Sequence, residues 1–316
     1  MSLPEPSLWS TATSTSLALQ AFEETLDLLR GAGIQPHPSS RFVQYRSRFQ
    51  HMLGMNPTQS SESELYECLQ LLQEARYMRS ILKHVTDNTP TVRTKIQHIV
   101  DGPFLSVHET AKSAASRNYA FELYVAASFR QAGFRVVFNE PDLVVTFEDC
   151  EIGIAVKRLR ERTDTAIEKL VKDGQRQLTR NRIPGMIALD VSTLAFPKAV
   201  AVLADSRALT DALLAGRLWN AALRVNKLMI HKLRPSVTRG ILFFGGAPAL
   251  SGVVVERQSH GKDVVQRILW SNQVVFRTYC GTRLLAYEDE GSPGGEQLVR
   301  LSDRFSRATA NDTGVH

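Results

Sequence analysis

The residues with the most chemical content lie in the stretch 117–191: Asp142, directly after Pro141, and Lys157, which closes the apolar run of EIGIAVK. Asp142 opens DLVVTF, whose β-branched residues predict a strand, so its side chain projects at a strand end. In EIGIAVKRL a period of two puts Glu151, Gly153, Ala155 and Lys157 on one face, with Ile152, Ile154 and Val156 pointing the other way into a core. Behind a glycine and an alanine, Lys157 is expected to have open space around it. A carboxylate and a lysine brought together at strand ends suit metal-assisted phosphodiester cleavage. A hard divalent cation wants oxygen ligands, usually one or two carboxylates plus water and phosphate. A neighbouring ammonium can position the attacking water or stabilise the developing charge.

Two more polar residues join this pair. Gln177 falls nearly in phase with Ile167, Leu170 and Gly174, which points it inward, where a polar group needs partners. Glu122 stands at the border of the helical apolar face formed by Phe121, Val125, Ser128 and Ala132. Each residue alone has an ordinary explanation. Asp142 is a good turn residue after proline, Lys157 can begin the solvated basic run KRLRER, and Glu122 can be an exposed helix acid.

Taken in order, the helix with Glu122, the strand with Pro141-Asp142, the strand ending in Lys157, the helix with Gln177 and the strand MIALDV resemble the PD-(D/E)xK nuclease superfamily, the restriction-endonuclease-like fold. The resemblance covers roughly 110–200 and reaches toward 245. It implies Mg2+ or Mn2+ and no organic cofactor, with nucleic acid as partner, DNA ahead of RNA. It also implies Asp142 as a metal ligand completed by Glu122 or Glu168, Lys157 as the charge-stabilising or water-positioning group, and Gln177 orienting the lysine or the substrate. The departure is Ala155, which stands where the pattern has an acid two residues before the lysine. A methyl group cannot bind a cation. Glu151 shares the strand face but lies four residues off, about 13 Å along a strand. Another acid takes over, or one carboxylate holds the metal weakly, or the domain is a catalytically inactive nucleic-acid or protein-binding module.

The elements that must position these residues can also be read. Residues 1–16 are Ser/Thr/Pro-rich without a period and predict a disordered arm. Residues 17–105 read as all-helical, with stripes such as Leu19, Phe22, Leu26 and Leu29, then Phe42, Tyr45, Phe49 and Leu53, then Leu65, Leu69, Leu72, Ala75, Met78 and Leu82. Residues 106–285 form the α/β core. Ser106 and Glu109 predict a capping box opening a helix over 106–132, and Gly133 stops it. FRVVF, DLVVTFE and EIGIAVKRL follow as strands, close enough in sequence to be antiparallel partners. A helix over 163–181 and the strand MIALDVSTL come next, then a helix over 206–231 and a strand RGILFFGGAPAL ended by Gly-Gly and Pro. VVVERQ and QVVFRTYC read as peripheral strands, and 286–316 as a loose tail. The expected class is α/β, a mixed central sheet flanked by helices, with an all-helical N-terminal extension.

Composition narrows the classes further. A net charge of +6 favours polyanionic partners. Basic residues cluster between Lys157 and Arg182 and again from Arg217 to Arg239, two runs that could flank a backbone-binding groove. Cys68, Cys150 and Cys280 are odd in number and widely spaced, against a disulfide framework or zinc cluster and in keeping with a reducing cytoplasm. No apolar run is long enough for a membrane helix, and the N-terminus lacks a signal-peptide pattern. The helical N-terminal region offers a surface for self-association or a protein partner. FFGGAP lacks the spacing of a phosphate loop, and no GxSxG supports a serine nucleophile.

Overall fold

The computed structural model describes residues 7–13, 15–54, 62–87, 89–110, 112–148, 150–196, 202–204, 206–260, 263–286, 300–301 and 304. For 7–18, 52–54, 62–63, 65, 107, 203, 207, 248 and 250–286 only the backbone is considered. Four helices lie in the N-terminal region: α1 (Thr15–Gly31), α2 (Arg41–Gly54), α3 (Glu62–His84) and α4 (Pro90–Val100). The stripes read from the sequence are their buried faces, for example Phe22, Leu26 and Leu29 on α1 and Leu69, Leu72, Ala75 and Met78 on α3. Leu53 and Leu65, also assigned to stripes, have side chains outside the described set. Thr89 caps α4 through its hydroxyl, which accepts from the Val92 N–H, and Pro90 sits at the first helical position where a missing N–H costs nothing.

Then follow α5 (Ala115–Gln131), β2 (Arg135–Asn139), β3 (Asp142–Phe147), β4 (Cys150–Arg158), α6 (Asp164–Asn181) and β5 (Gly185–Asp190). After these come a one-turn helix α7 (Ser192–Ala195), β6 (Val202–Ala204), α8 (Arg207–Met229), β7 (Thr238–His260) and β8 (Asp263–Ala286), while β1 (Ser7–Thr13) opens the chain. The strands make one mixed sheet in the order β1-β8-β7-β5-β4-β3-β2, with β6 beside β7. β2, β3 and β4 are antiparallel neighbours, β4 and β5 are parallel across α6, and β5 and β7 are parallel across α8. The fold is therefore α/β with a mixed sheet flanked by helices. One apolar cluster joins the N-terminal helices, α5 and one sheet face, and a second packs α6 and α8 on the other face. The helical region over 17–105 thus shares its core with the sheet.

Five local expectations are corrected. The arm expected over 1–16 contains β1, which pairs antiparallel with β8 over Ser7–Thr13. The capping box at Ser106 does not form: Ser106–His108 is a 3-10 turn, the helix starts at Ala115, and Glu109 is taken by arginines instead. MIALDVSTL is a strand only to Asp190, whose carboxylate accepts from the Ser192 N–H and hydroxyl and turns the chain into α7. Gly245-Gly246 and Pro248 do not end β7, which continues through them opposite β8. A methyl at Gly245 would meet Leu218 Cδ1 at 2.7 Å, so that glycine lets α8 lie close on the strand. In the expected tail, Leu301 is buried and Arg304 donates to the carbonyls of Ala132 and Gly133 and stacks on Phe134.

Candidate functional site

Asp142, Lys157 and Gln177 come together on the α6 face of the sheet. The β2–β3 hairpin turns through Glu140-Pro141, joined by a cis peptide, so that Asn139 pairs with Asp142 and the aspartate starts β3. Leu143 opposite Ile154 brings Asp142 beside Ala155 and Val156 of β4. Asp142 Oδ2 accepts from the Val156 N–H at 2.7 Å and from Lys157 Nζ at 3.3 Å. Lys157 Nζ also donates to Gln177 Oε1 at 2.6 Å and to the Val156 carbonyl at 3.1 Å. The other end of the amide closes the ring, with Gln177 Nε2 donating to Asp142 Oδ1 at 2.9 Å. A lysine can only donate and a carboxylate can only accept, which fixes the orientation of the amide. Burial pushes the Asp142 carboxyl above its ordinary range, and Lys157 and the Val156 N–H oppose that shift only in part.

The open space expected around Lys157 is absent. A methyl at Gly153 would meet Pro141 Cγ at 3.0 Å, Ile183 Cγ2 at 3.1 Å and Leu178 Cδ2 at 3.1 Å. Ala155 is fully buried in the cluster with Leu159, Ile167, Val171, Leu178 and Ile187. Helix α6 presents these apolar side chains to β4 and covers the strand face that alternation alone suggested was free. The ground beside Ala155 is packed with hydrocarbon.

Of the other two acids named from the sequence, Glu122 stands within electrostatic reach of Asp142 and Lys157, and Glu168 stands apart from them. Glu122 on α5 is ion-paired with Lys95 of α4. Burial pushes its carboxyl up, Lys95 opposes the shift, and Asp142 adds to it through space. Glu168 lies at the opposite end of α6 from Gln177, where Lys232 at 2.5 Å and Lys172 at 3.3 Å hold its two oxygens. Hydrogen bonds from those lysines keep it below its ordinary range. Among the described residues, no three His, Cys, Asp or Glu side chains are grouped so as to hold a metal ion. Glu168 is thus separated from Asp142, and Glu122 is ion-paired with Lys95 while near Asp142. Both Asp142 oxygens are already engaged by donors, and its expected companions are paired with lysines.

The sequence reading missed Glu140. Its Oε2 accepts from Gln177 Nε2 at 3.3 Å and from Asn181 Nδ2 at 3.4 Å, so one amide spans the carboxylates of Glu140 and Asp142. Its one signal was its place before Pro141, at the turn that delivers Asp142. Around this end of α6, Arg176, Arg180 and Arg182 are exposed. Arg176 and Arg180 lie one turn apart on the helix.

A second concentration of polar groups, also missed, lies on the opposite sheet face. Lys157 and Arg158 are successive residues of β4, so they point to opposite sides. Arg158 donates to both oxygens of Glu109, at 3.1 and 2.6 Å, and its Nε is 4.0 Å from Asp190 Oδ2. Nearby, Glu74 is held by Arg117 at 2.7 Å and Arg41 at 3.1 Å and accepts from the Tyr45 hydroxyl at 3.0 Å. Burial alone would raise the Glu74 carboxyl, but the two guanidiniums outweigh it and hold the group low. Burial pushes Asp190 up, its Ser192 and Arg158 contacts notwithstanding. The only sequence hint was a lone acid closing an apolar strand. Comparison of the chain with protein-family models, curated proteins and solved structures finds no match. No described helix is long and apolar enough to cross a membrane.

Proposed function

We propose that the chain is a PD-(D/E)xK-like protein with a restriction-endonuclease-like core. On this reading it binds nucleic-acid phosphodiesters, DNA ahead of RNA, on the face carrying Asp142, Lys157 and Gln177, and does not cleave them. The observation that carries the reading is the closed ring of these side chains, at 2.6 to 3.3 Å, on a hairpin, a strand and the following helix. The antiparallel β2-β3-β4 unit leading through α6 to a parallel β5 agrees with it. Binding in place of cleavage is supported by Ala155, whose methyl is packed in hydrocarbon where the motif has its second acid. In this reading Asp142 and Gln177 hold the ammonium of Lys157 in place, and exposed Arg176, Arg180 and Arg182 meet the phosphates. Such contacts neutralise charge and release counterions, so affinity should fall steeply with salt.

One observation favours a second reading, hydrolysis dependent on Mg2+ or Mn2+: the carboxylates of Glu140 and Asp142 face one another across a single amide. Both are tested by incubating labelled DNA and RNA with the protein in Mg2+ or Mn2+, resolving the products on a gel and measuring binding by anisotropy. The first reading expects salt-sensitive binding and no metal-dependent products. The second expects products that disappear in Lys157→Ala and Glu140→Gln. A protein that neither binds nor cuts sinks both.

A further inference from the structure

On the sheet face away from Asp142 lies a cavity of about 470 Å³, within the range of small-molecule sites. It opens where β4 and β5 end, between α3, α5 and the middle of β7, and so lies beyond the carboxyl ends of parallel strands. That is where ligands of open α/β sheets commonly bind. One wall is aromatic. Tyr77 and Tyr124 stack at 4.4 Å, and Phe244 meets Phe121 edge-on at 5.4 Å and Tyr124 at 6.4 Å. Such a wall accepts a flat apolar body.

The charges facing this wall do not balance. Four arginines line the cavity (Arg41, Arg117, Arg158 and Arg160) against three carboxylates, Glu74, Glu109 and Asp190. Glu74 pairs with both Arg41 and Arg117, and Glu109 pairs with both Arg158 and Arg160. Asp190 is 4.0 Å from Arg158, too far for a direct hydrogen bond. The surplus is positive, in surroundings where a charge is weakly screened. Arg41 and Arg117 are held nearly buried, with side chains 3% and 8% exposed, by Glu74 and the Pro103 carbonyl.

We infer that this cavity is a binding site for a small organic anion with a flat apolar body, its ring laid on Tyr77, Tyr124 and Phe244 and its carboxylate or phosphate turned toward the arginines. The site is independent of the Asp142 face. It lies across the sheet and shares no residue with it.

The test compares one ring in three charge states, 2-naphthoate, 2-naphthamide and 2-naphthylmethylamine, by calorimetry on the full chain. Naphthoate should bind at least about tenfold more tightly than the amide and the amine, the mark of one favourable charge contact. Ala120→Trp, which fills the cavity from α5, should weaken naphthoate at least about tenfold. Thr193→Trp, at the β5 end, makes the same test if Ala120→Trp loses its near-UV circular dichroism. Equal affinity for the three probes overturns the inference. So does naphthoate binding that survives a folded cavity-filling variant, or the absence of binding by any probe.

Discussion

The two faces of the sheet hold their polar groups in opposite ways. On the α6 face, Asp142, Lys157 and Gln177 satisfy one another, and hydrocarbon fills the ground beside them. On the α5 face, Glu74, Glu109 and Asp190 meet more arginine than they can neutralise, and a cavity stays open between them. The first arrangement comes from residues within 35 positions of one another, on a hairpin, a strand and the next helix. The second draws on α2, α3, α5 and the ends of β4 and β5. A closed polar ring can present charge to a backbone but leaves a ligand nowhere to enter. An open, under-neutralised pocket can take one in.

The contrast breaks most visibly at Glu74. Glu74→Ala leaves Arg41 and Arg117 buried without their shared counter-charge, and removing one partner of a buried pair costs about 3–5 kcal/mol. The midpoint of a urea titration should fall accordingly; a loss under about 1 kcal/mol would mean that the network is solvated. The same group sets an acid limit. Its carboxyl is held low in the fold, so the unfolded chain takes up the proton first as pH falls. Its contribution is complete above the ordinary carboxylate range and lost as pH drops through the folded value. In wild type, urea midpoints should decline over that window, and Glu74→Gln should flatten the decline.

On the opposite face, Ala155→Asp puts a carboxylate among Leu159, Val171 and Leu178, at a cost of about 3 kcal/mol. A variant as stable as wild type would show that this ground is open and would favour the cleaving reading. Asp142→Asn should act more gently and with the reverse pH sense. The folded carboxyl keeps its proton to higher pH than the unfolded one, so the native state holds more protons in the window between the two values. Stability from this group is therefore lost as pH rises through that window, and the asparagine variant should show a flatter profile there. Smallest in stability is Arg180→Glu on the exposed side of α6, expected within about 0.5 kcal/mol of wild type. Its effect belongs to DNA binding, where the slope of log affinity against log salt should shrink by about one or more.

What the sequence disclosed follows the reach of its signals. Alternation in EIGIAVKRL gave the two faces of β4 correctly, and phase pointed Gln177 inward, where Lys157 and Asp142 are its partners. The β2–β3–β4 unit and α6 were legible because their contacts are local. What covers a face is a tertiary fact, so the packing of Leu178 and Val171 over Ala155 could not be read from the strand. Glu122 was placed at the border of a helix face by phase, and Glu168 by its helix alone. Phase gives a direction but not a neighbour, and lysines from α4 and from beyond α8 claimed both. The cavity was invisible for the same reason: Glu74, Arg117, Glu109 and Asp190 carry no spacing that links them. Gly245-Gly246 and Pro248 read as a stop because local turn chemistry is a strong signal, yet pairing with β8 carries the strand through.

The central claim, that the Asp142–Lys157–Gln177 face meets the nucleic-acid backbone, is tested most directly by Lys157→Ala. The measurement is fluorescence anisotropy of a labelled DNA duplex against wild type and variant across a series of salt concentrations. The expected result is a dissociation constant raised about tenfold in the variant with a shallower salt slope, the near-UV circular dichroism being unchanged. Superimposable curves for the two proteins would contradict it.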